Sequence, residues 1–176
     1  MNKVFIATSI DGFIADRDGN IDWLESIPNP ENDDLGYNQF IASVDAIIMG
    51  RVTFETVLGF DIDWPYEIPV FVMSRTLNAI PERLSDRVAL VEGTHHEILK
   101  AIHAKGYENL YIDGGSTIQG FLKEGLIDQL IITTIPILLG GGIPLFGSLD
   151  QPQNFQHVKS TRFLDCMVQN EYRRKP

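Results

Sequence analysis

Short apolar runs rich in β-branched residues recur along the sequence, and most are followed by a segment with helical spacing. The first run is Val4–Ile10, and a second, Val44–Met49, leads through Gly50 into a helical segment at Arg51–Leu58. Strands that are apolar on both faces are typical of a parallel sheet that is covered by helices on either side. The sequence therefore predicts one α/β domain with a mostly parallel sheet.

The remaining elements follow from the same periodicities. Ile21–Asp33 is predicted to be a loop, because it contains two prolines and several Asn and Asp residues. Helices are predicted at Asp34–Ser43, at Ser116–Lys123, and from an N-cap at Thr94 through Lys105 with Glu97 at the capping-box position. Further strands are predicted at Pro69–Met73, Val88–Val91, Asn109–Ile112 and Gln129–Pro136.

The C-terminal part of the sequence predicts an antiparallel hairpin. Its strands are Phe155–Phe163 and Met167–Arg174, and it turns at Leu164–Asp165–Cys166. Cys166 is the only cysteine, so no internal disulfide can form. Free cysteine is among the most buried residue types, and we expect Cys166 to be a small buried hydrophobe.

The formal net charge of −10 argues against binding to nucleic acid or to anionic membranes. Both partners are held chiefly by Lys and Arg contacts to phosphate. The sequence contains no apolar run of about 20 residues, and its start does not resemble a signal peptide. We therefore expect a cytoplasmic protein, in which any phosphorylated cofactor is bound by local arginines and backbone N–H groups.

Three strand ends carry residues suited to phosphate. Gly50-Arg51-Val52-Thr53 follows one strand, Ser74-Arg75 follows the next, and Asp113-Gly114-Gly115-Ser116 follows a third. Glycine allows close approach of backbone N–H groups, a following helix directs its positive end at an anion, and Arg offers a permanently charged fork. Each turn alone is more typical of an ordinary strand–helix connection, but three in one small sheet favour a dinucleotide with several phosphates.

These motifs resemble a known family. Met49-Gly50-Arg51-x-Thr53-Phe54-Glu55 and Ile112-Asp113-Gly114-Gly115-Ser116 are similar to the two glycine turns of dihydrofolate reductases. The opening Ala7-Thr8-Ser9-Ile10-Asp11-Gly12, together with Pro136-Ile137-Leu138-Leu139-Gly140-Gly141-Gly142, is closer to the RibD C-terminal domain family, the reductase domain of riboflavin biosynthesis. The resemblance spans the chain and implies a three-layer dihydrofolate-reductase-like fold that binds NADPH across the carboxyl edge of the sheet.

The resemblance also implies which residues contact the cofactor. Gly50, Arg51 and Thr53 would bind the pyrophosphate and the adenosine-side phosphate, and Ser74 and Arg75 the 2′-phosphate that distinguishes NADPH from NADH. The backbone of Ala7 would meet the nicotinamide amide, and the loop Asp18–Ser26 with Trp23 would act as a lid. The other side of the pyrophosphate would be covered by Gly114, Gly115, Ser116, Thr117 and Ile118.

Two carboxylates are candidates for the proton donor. By position, Asp34 matches the acidic residue of dihydrofolate reductases, and Asp11 matches the Asp of the Ser-x-Asp-Gly motif in the riboflavin reductase domains. Each has a structural alternative, because Asp34 can begin a helix and Asp11 can form the turn before Gly12. The substrate wall implied by the resemblance includes Tyr37, Phe54 and Thr133.

The chain also departs from these families. These 176 residues contain no Cys/His signature of the zinc deaminase domain that accompanies the reductase in the complete riboflavin enzyme, and we expect no such activity from them. The stretch from Trp23 to Asp34 is longer than in dihydrofolate reductases, which argues against folate as the substrate. No metal site is expected, because His95, His96 and His103 lie on one predicted helix without further ligands.

The resemblance implies a homodimer. The sequence thus favours an NADPH-dependent reductase for a pterin-like or ribityl-pyrimidine-like compound, with a dinucleotide-binding or ligand-sensing protein without turnover as the alternative.

Overall fold

The computed structural model describes residues 1–175. Its main sheet contains eight strands, and a separate two-stranded ribbon joins β2 to β8. In chain order the strands are β1 (Asn2–Ser9), β2 (Phe13–Ala15), β3 (Ala46–Gly50), β4 (Val70–Met73), β5 (Val88–Val91), β6 (Leu110–Asp113), β7 (Gln129–Ile135), β8 (Ile143–Pro144), β9 (Phe155–Phe163) and β10 (Met167–Arg174).

The strand order in the main sheet is β5-β4-β3-β6-β1-β7-β10-β9. The first six strands run parallel, β10 pairs antiparallel with β7, and β9 pairs antiparallel with β10. The predicted α/β architecture with a C-terminal antiparallel hairpin is therefore confirmed.

Two helices lie on each face of the sheet. They are α1 (Tyr37–Ile41), α2 (Arg51–Leu58), α3 (His95–His103) and α4 (Gly115–Lys123). Helices α3 and α4 bury their apolar sides in one core cluster, and α1 and α2 pack into the cluster on the opposite face. The predicted capping box of α3 is present, since Thr94 Oγ1 accepts a hydrogen bond from Glu97 N and the Glu97 carboxylate accepts one from Thr94 N.

Helix α1 is shorter than the sequence predicts. It begins at Tyr37 because Leu35 and Gly36 adopt left-handed backbone conformations, with φ of 54° and 83°. Asp33 Oδ1 accepts a hydrogen bond from Leu35 N, and Asp34 Oδ1 accepts one from Gly36 N. These local bonds compete with helical ones, as short polar side chains commonly do.

Three further features differ from the sequence-based expectation. The predicted loop at residues 21–33 contains a 3₁₀ turn at Asp22–Ser26, and the short ribbon between β2 and β8 was not anticipated. Cys166 is exposed rather than buried, because it lies in the tight β9–β10 turn after two residues with positive φ, Leu164 and Asp165. No helix within residues 1–175 combines the length and apolar character needed to cross a membrane.

Candidate active site

The sheet register brings the three glycine and arginine turns together at one edge. Met49 lies beside Asp113 in the β3–β6 pair, and Gly50 lies beside Met73 in the β3–β4 pair. All these strands are parallel, so the segments that follow them emerge at their common carboxyl edge. Ligands of open α/β sheets bind in the crevice outside this edge.

The first turns of α2 and α4 approach each other closely through their glycines. A Cβ atom added to Gly50 would lie 2.9 Å from Thr117 Oγ1, and one added to Gly114 would collide with Thr53 Oγ1. Gly114 also has a φ of 90°, which side-chain-bearing residues rarely adopt. Glycine at these two positions therefore allows two helix N-termini to face the same space.

Neither of these helices is capped by a side chain. Within residues 1–175, no side chain accepts a hydrogen bond from the first-turn N–H groups of α2 or α4, whereas α3 has its capping box. Uncapped N–H groups and the positive end of the helix dipole favour an anionic ligand. The paired ends of α2 and α4 have the chemistry of a site for linked phosphates.

Two arginines lie at the same edge with exposed guanidinium groups. Arg51, in the first turn of α2, forms an ion pair with Glu55 at 3.2 Å, in which both side chains remain about half exposed. Such exposed pairs are weak, so the Arg51 guanidinium can turn to a ligand at little cost. Arg75 is exposed after β4, where Ser74 Oγ shapes the turn by accepting hydrogen bonds from Thr76 N and Leu77 N.

Ala7 lies in β1, a central strand of the sheet, where β1 pairs with β7. It is opposite Thr133, which is only 3% exposed, and Gln169 Nε2 donates to Thr133 Oγ1 at 3.0 Å. The same Gln169 nitrogen donates to the Leu35 carbonyl, so it joins the segment before α1 to the sheet. Thr133 therefore contributes to a hydrogen-bonded bridge, and little of its surface is accessible.

Both predicted proton donors, Asp34 and Asp11, accept hydrogen bonds from backbone N–H groups. The Asp34 carboxylate accepts hydrogen bonds from the N–H groups of Gly36 and Asn38, both at 2.9 Å. The Asp11 carboxylate accepts from Ser9 Oγ at 2.6 Å, from Leu139 N at 3.1 Å and from Gly140 N at 2.8 Å. These bonds lower the pKa of both carboxyls, so each is ionised at neutral pH and engaged in holding backbone.

A third carboxylate, which the sequence reasoning did not select, fits proton transfer better. Asp113 ends β6, and its partly exposed side chain accepts a hydrogen bond from Gly114 N at 2.8 Å. Burial raises the pKa of Asp113 to about 6. Its place at the carboxyl end of a central strand, directly before two glycines, was the signal in the sequence that could have identified it.

Aromatic residues surround Asp113 on the α1–α2 face. Burial, followed by the charge of Asp113, raises the pKa of Tyr37 to about 12 and raises the pKa of Tyr66 further. Both phenols therefore stay protonated and can donate hydrogen bonds. Trp64, which was not predicted, packs edge-on against Tyr66 and against Phe54, with ring centroids 5.2 and 5.6 Å apart.

The predicted aromatic site residues differ in accessibility. Phe54 is only 1% exposed, so it supports the site from the core and offers no surface to a substrate in this conformation. Tyr37 and Trp23 are half-buried. Trp23 lies in the 3₁₀ turn Asp22–Ser26, and within residues 1–175 its Nε1 has no hydrogen-bond acceptor.

The histidines form no metal cluster. His95 Nδ1 lies 2.6 Å from Glu124 Oε1, which connects the start of α3 to the end of α4. Across residues 1–175, no group of three or more His, Cys, Asp or Glu side chains is arranged to hold a metal ion.

Comparison with known proteins identifies the family. The model of the RibD C-terminal domain matches residues 3–168. The chain belongs to the RibD C-terminal domain family. A putative riboflavin biosynthesis protein from Shewanella sp. PV-4 has a crystal structure that is 52% identical, with a TM-score of 0.96 and 99% of each chain covered.

A curated relative indicates the chemistry of the family, and a solved structure indicates its fold. The 2,5-diamino-6-ribosylamino-4(3H)-pyrimidinone 5′-phosphate reductase of Methanothermobacter thermautotrophicus is 28% identical in an alignment that covers 77% of each protein. Dihydrofolate reductase from Enterococcus faecalis, complexed with NADP(H), is 18% identical with a TM-score of 0.69 over 100% of this chain and 97% of that one, and shows the shared fold. Membership of the family supports a role as a reductase.

Proposed function

We propose that the protein is an NADPH-dependent reductase that transfers a hydride to a small pterin-like or ribityl-pyrimidine-like substrate. One observation carries the proposal: the uncapped N-termini of α2 and α4 meet across Gly50 and Gly114 at the centre of the sheet edge. A dinucleotide places two linked phosphates where these two helix ends can share them. The NADP(H) complex of a protein with the same fold supports the choice of cofactor.

The residues along the carboxyl edge of the sheet can each be matched to a part of NADPH. Gly50, Arg51 and Thr53 would bind phosphate from the α2 side, and Ser74 with Arg75, one strand further out, would bind the 2′-phosphate. From the α4 side, the pyrophosphate would be covered by Gly114, Gly115, Ser116, Thr117 and Ile118. The carbonyl and N–H of Ala7 would orient the nicotinamide, which supplies the hydride when the cofactor is bound.

Hydride transfer to a C=N or C=O bond requires a proton at the neighbouring atom, and Asp113 is suited to supply it. Its pKa of about 6 lies close to neutral, which is the range in which a general acid both holds and releases a proton. The protonated hydroxyl of Tyr37 would help to orient the substrate, and Trp23 would close over it. Asp34 and Asp11 would hold the surrounding backbone in place.

We also propose that the protein is a cytoplasmic homodimer. Apolar side chains after β7 are exposed, among them Leu138 at 67%, Ile143 at 44% and Phe146 at 50%. Burial of such a patch against a second copy would remove it from water. The molecular mass in solution, measured by light scattering, tests this part of the proposal.

The cofactor assignment is tested by comparing NADPH with NADH. Calorimetric titration of the wild type is expected to give tighter binding of NADPH, and Arg75→Ala is expected to remove most of that preference. Arg83→Ala is a matched control, because Arg83 is also an exposed arginine but precedes β5, near the opposite end of the strands. Equal affinity of the wild type for both cofactors would contradict the role given to Arg75.

Turnover is tested separately by following NADPH oxidation with a panel of pterins and ribityl pyrimidines. Oxidation with at least one of them is expected. The second candidate function, dinucleotide binding without turnover, is favoured by the structural engagement of Asp34 and Asp11. Tight NADPH binding without oxidation by any compound of the panel would establish this alternative.

A further inference from the structure

A groove of about 480 Å³ lies on the α1 face of the sheet, apart from the crevice at the carboxyl edge. Strands β1, β7, β10 and β9 contribute to its floor, and α1 with the residues on either side of it forms one wall. Gln169, which bridges Thr133 and Leu35, lies at the end of the groove nearer the carboxyl edge. None of the residues proposed to bind the cofactor lines this groove.

The opposite end of the groove carries a row of polar side chains across three neighbouring strands. Lys3 of β1 pairs with Gln129 of β7, which in turn pairs with Arg173 of β10. The Cα atoms of Lys3 and Arg173 are therefore about 10 Å apart, which is two strand spacings. Lys159 of β9 lines the same groove. The row lies four residues from Thr133 along β7, or about 13 Å towards the amino edge of the sheet.

Lys3 is held in place beside Arg173. Its Nζ donates to the Ser43 carbonyl at 2.8 Å and to Ser43 Oγ at 3.1 Å, which uses two of its three N–H groups. Burial lowers the pKa of Lys3, the Asp45 carboxylate opposes this shift, and the charge of Arg173 adds to it. The two cations therefore act on the same space, and each raises the free energy of the other.

The carboxylate nearest to this row is already shared by two donors. Glu171 accepts a hydrogen bond from Gln129 Nε2 at 2.7 Å, and its carboxylate lies 3.8 Å from the Arg173 guanidinium. Among residues 1–175, no carboxylate forms an ion pair with Lys3 or Lys159. Three positive charges thus meet one engaged negative charge at this end of the groove.

The other carboxylates around the groove bind backbone N–H groups. Asp45 accepts from the two N–H groups that precede β6, and Asp33 and Asp34 accept from N–H groups at the start of the α1 region. Asp33 and Asp34 adjoin Leu35, whose carbonyl accepts from Gln169, so they lie at the opposite end of the groove. That distance of about 13 Å exceeds the Debye length of about 8 Å at physiological ionic strength, so salt largely screens them from the cations.

From this arrangement we infer that the amino end of the groove is a second ligand site, which binds a small doubly charged anion of the size of phosphate. Arg173 offers a planar fork of donors, Lys3 has an N–H group left to donate, and Lys159 adds charge from β9. An anion there relieves the repulsion between Lys3 and Arg173, in a chain whose net charge of −10 otherwise repels anions. The inference goes beyond the proposed function and does not depend on it.

The test is a titration with inorganic phosphate at pH 8 and constant ionic strength, followed by NMR of the ¹⁵N-labelled backbone N–H groups. Saturable shifts are expected at Lys3, Gln129 and Arg173. Acetate, which has one charge, should bind about tenfold more weakly or less. Shifts confined to the residues around Gly50 and Gly114, equal binding of acetate, or no saturation with phosphate would overturn the inference.

A double variant attributes the binding to the row. Lys3→Gln with Arg173→Gln should weaken phosphate binding by about tenfold or more, because two charged donors are lost. The control is Arg87→Gln with Lys100→Gln, which removes the same charge from exposed residues outside the groove. Equal weakening by both double variants would contradict a localised site.

A further pair of measurements separates this site from the proposed cofactor site. Arg51→Ala with Arg75→Ala should leave the shifts in the groove unchanged, and so should NADPH at saturating concentration. Displacement of phosphate from the groove by NADPH, or loss of the groove shifts in the Arg51 and Arg75 variant, would show that the two sites are not distinct and would overturn the inference. If NADPH fails to bind at all, the proposed function fails while the phosphate titration still decides the inference.

Discussion

Replacing Asp113 with asparagine should stabilise the protein above pH 6 while it slows turnover. Burial raises the pKa of Asp113 from 3.8 to about 6, so the folded protein prefers the neutral carboxyl. That difference corresponds to at most about 3 kcal/mol, and we expect about 1–2 kcal/mol because the side chain is partly exposed. Asparagine keeps the side-chain oxygen that accepts from Gly114 N.

The sign of the pH dependence follows from the raised pKa. In the wild type, the contribution of Asp113 to stability is fully present below its ordinary pKa of 3.8 and is lost as the pH rises through about 6. Asp113→Asn and the wild type should therefore be equally stable near pH 4, and the variant should be more stable at pH 8.

Urea unfolding between pH 4 and pH 8 measures the free-energy difference directly. Asp45→Asn is the matched control, because hydrogen bonds from the N–H groups of Asn109 and Glu108 lower the pKa of Asp45. Removing the negative charge of Asp45 should therefore destabilise the protein at pH 8. Turnover of Asp113→Asn should fall by about 100-fold, and the decline of wild-type kcat/KM above pH 6 should disappear. An Asp113→Asn protein that is less stable at pH 8, or fully active, would refute the reasoning.

Three further variants test other parts of the structure. Gly114→Ala should cost about 1–3 kcal/mol more than Gly106→Ala in chemical unfolding, because both have φ near 90° but only at Gly114 does the added methyl collide, with Thr53. Thr94→Ala should cost about 1 kcal/mol in the same assay through loss of the capping box. Asp11→Ala should lose more stability above pH 4 than Asp11→Asn, because asparagine keeps one oxygen to accept from Ser9 Oγ and Leu139 N but loses the charge that these bonds and the one from Gly140 N stabilise; equal loss in both variants would contradict a structural role.

Local sequence patterns were sufficient to predict much of the fold. The predicted bounds of Arg51–Leu58, Val88–Val91 and both strands of the C-terminal hairpin agree with the structure. These segments have clear periodicity and end at strong signals, such as Gly50 before α2 and the tight turn that ends β9. The predicted start of α1 was wrong. The apolar spacing is helical, but the carboxylates of Asp33 and Asp34 bind nearby backbone N–H groups and Gly36 is left-handed, so the helix begins later.

Features formed by residues distant in sequence could not be found in this way. Ribbon β2–β8 joins segments separated by well over a hundred residues, and neither segment is long enough to show a pattern. The raised pKa of Asp113 depends on burial beneath elements that only the strand order brings together. The burial of Phe54 depends in the same way on Trp64, which comes from the loop after α2. The three turns at the carboxyl edge were accessible to sequence reasoning because each is a local motif, and their role in binding a cofactor is a proposal.

The most direct test of the central claim is a crystal structure of the protein with NADPH. The account predicts the pyrophosphate between the first turns of α2 and α4, within hydrogen-bond distance of the backbone N–H groups after Gly50 and Gly114. The 2′-phosphate should lie against Arg75 and the nicotinamide against Ala7. A cofactor bound elsewhere, or electron density that shows none at saturating NADPH, would contradict it.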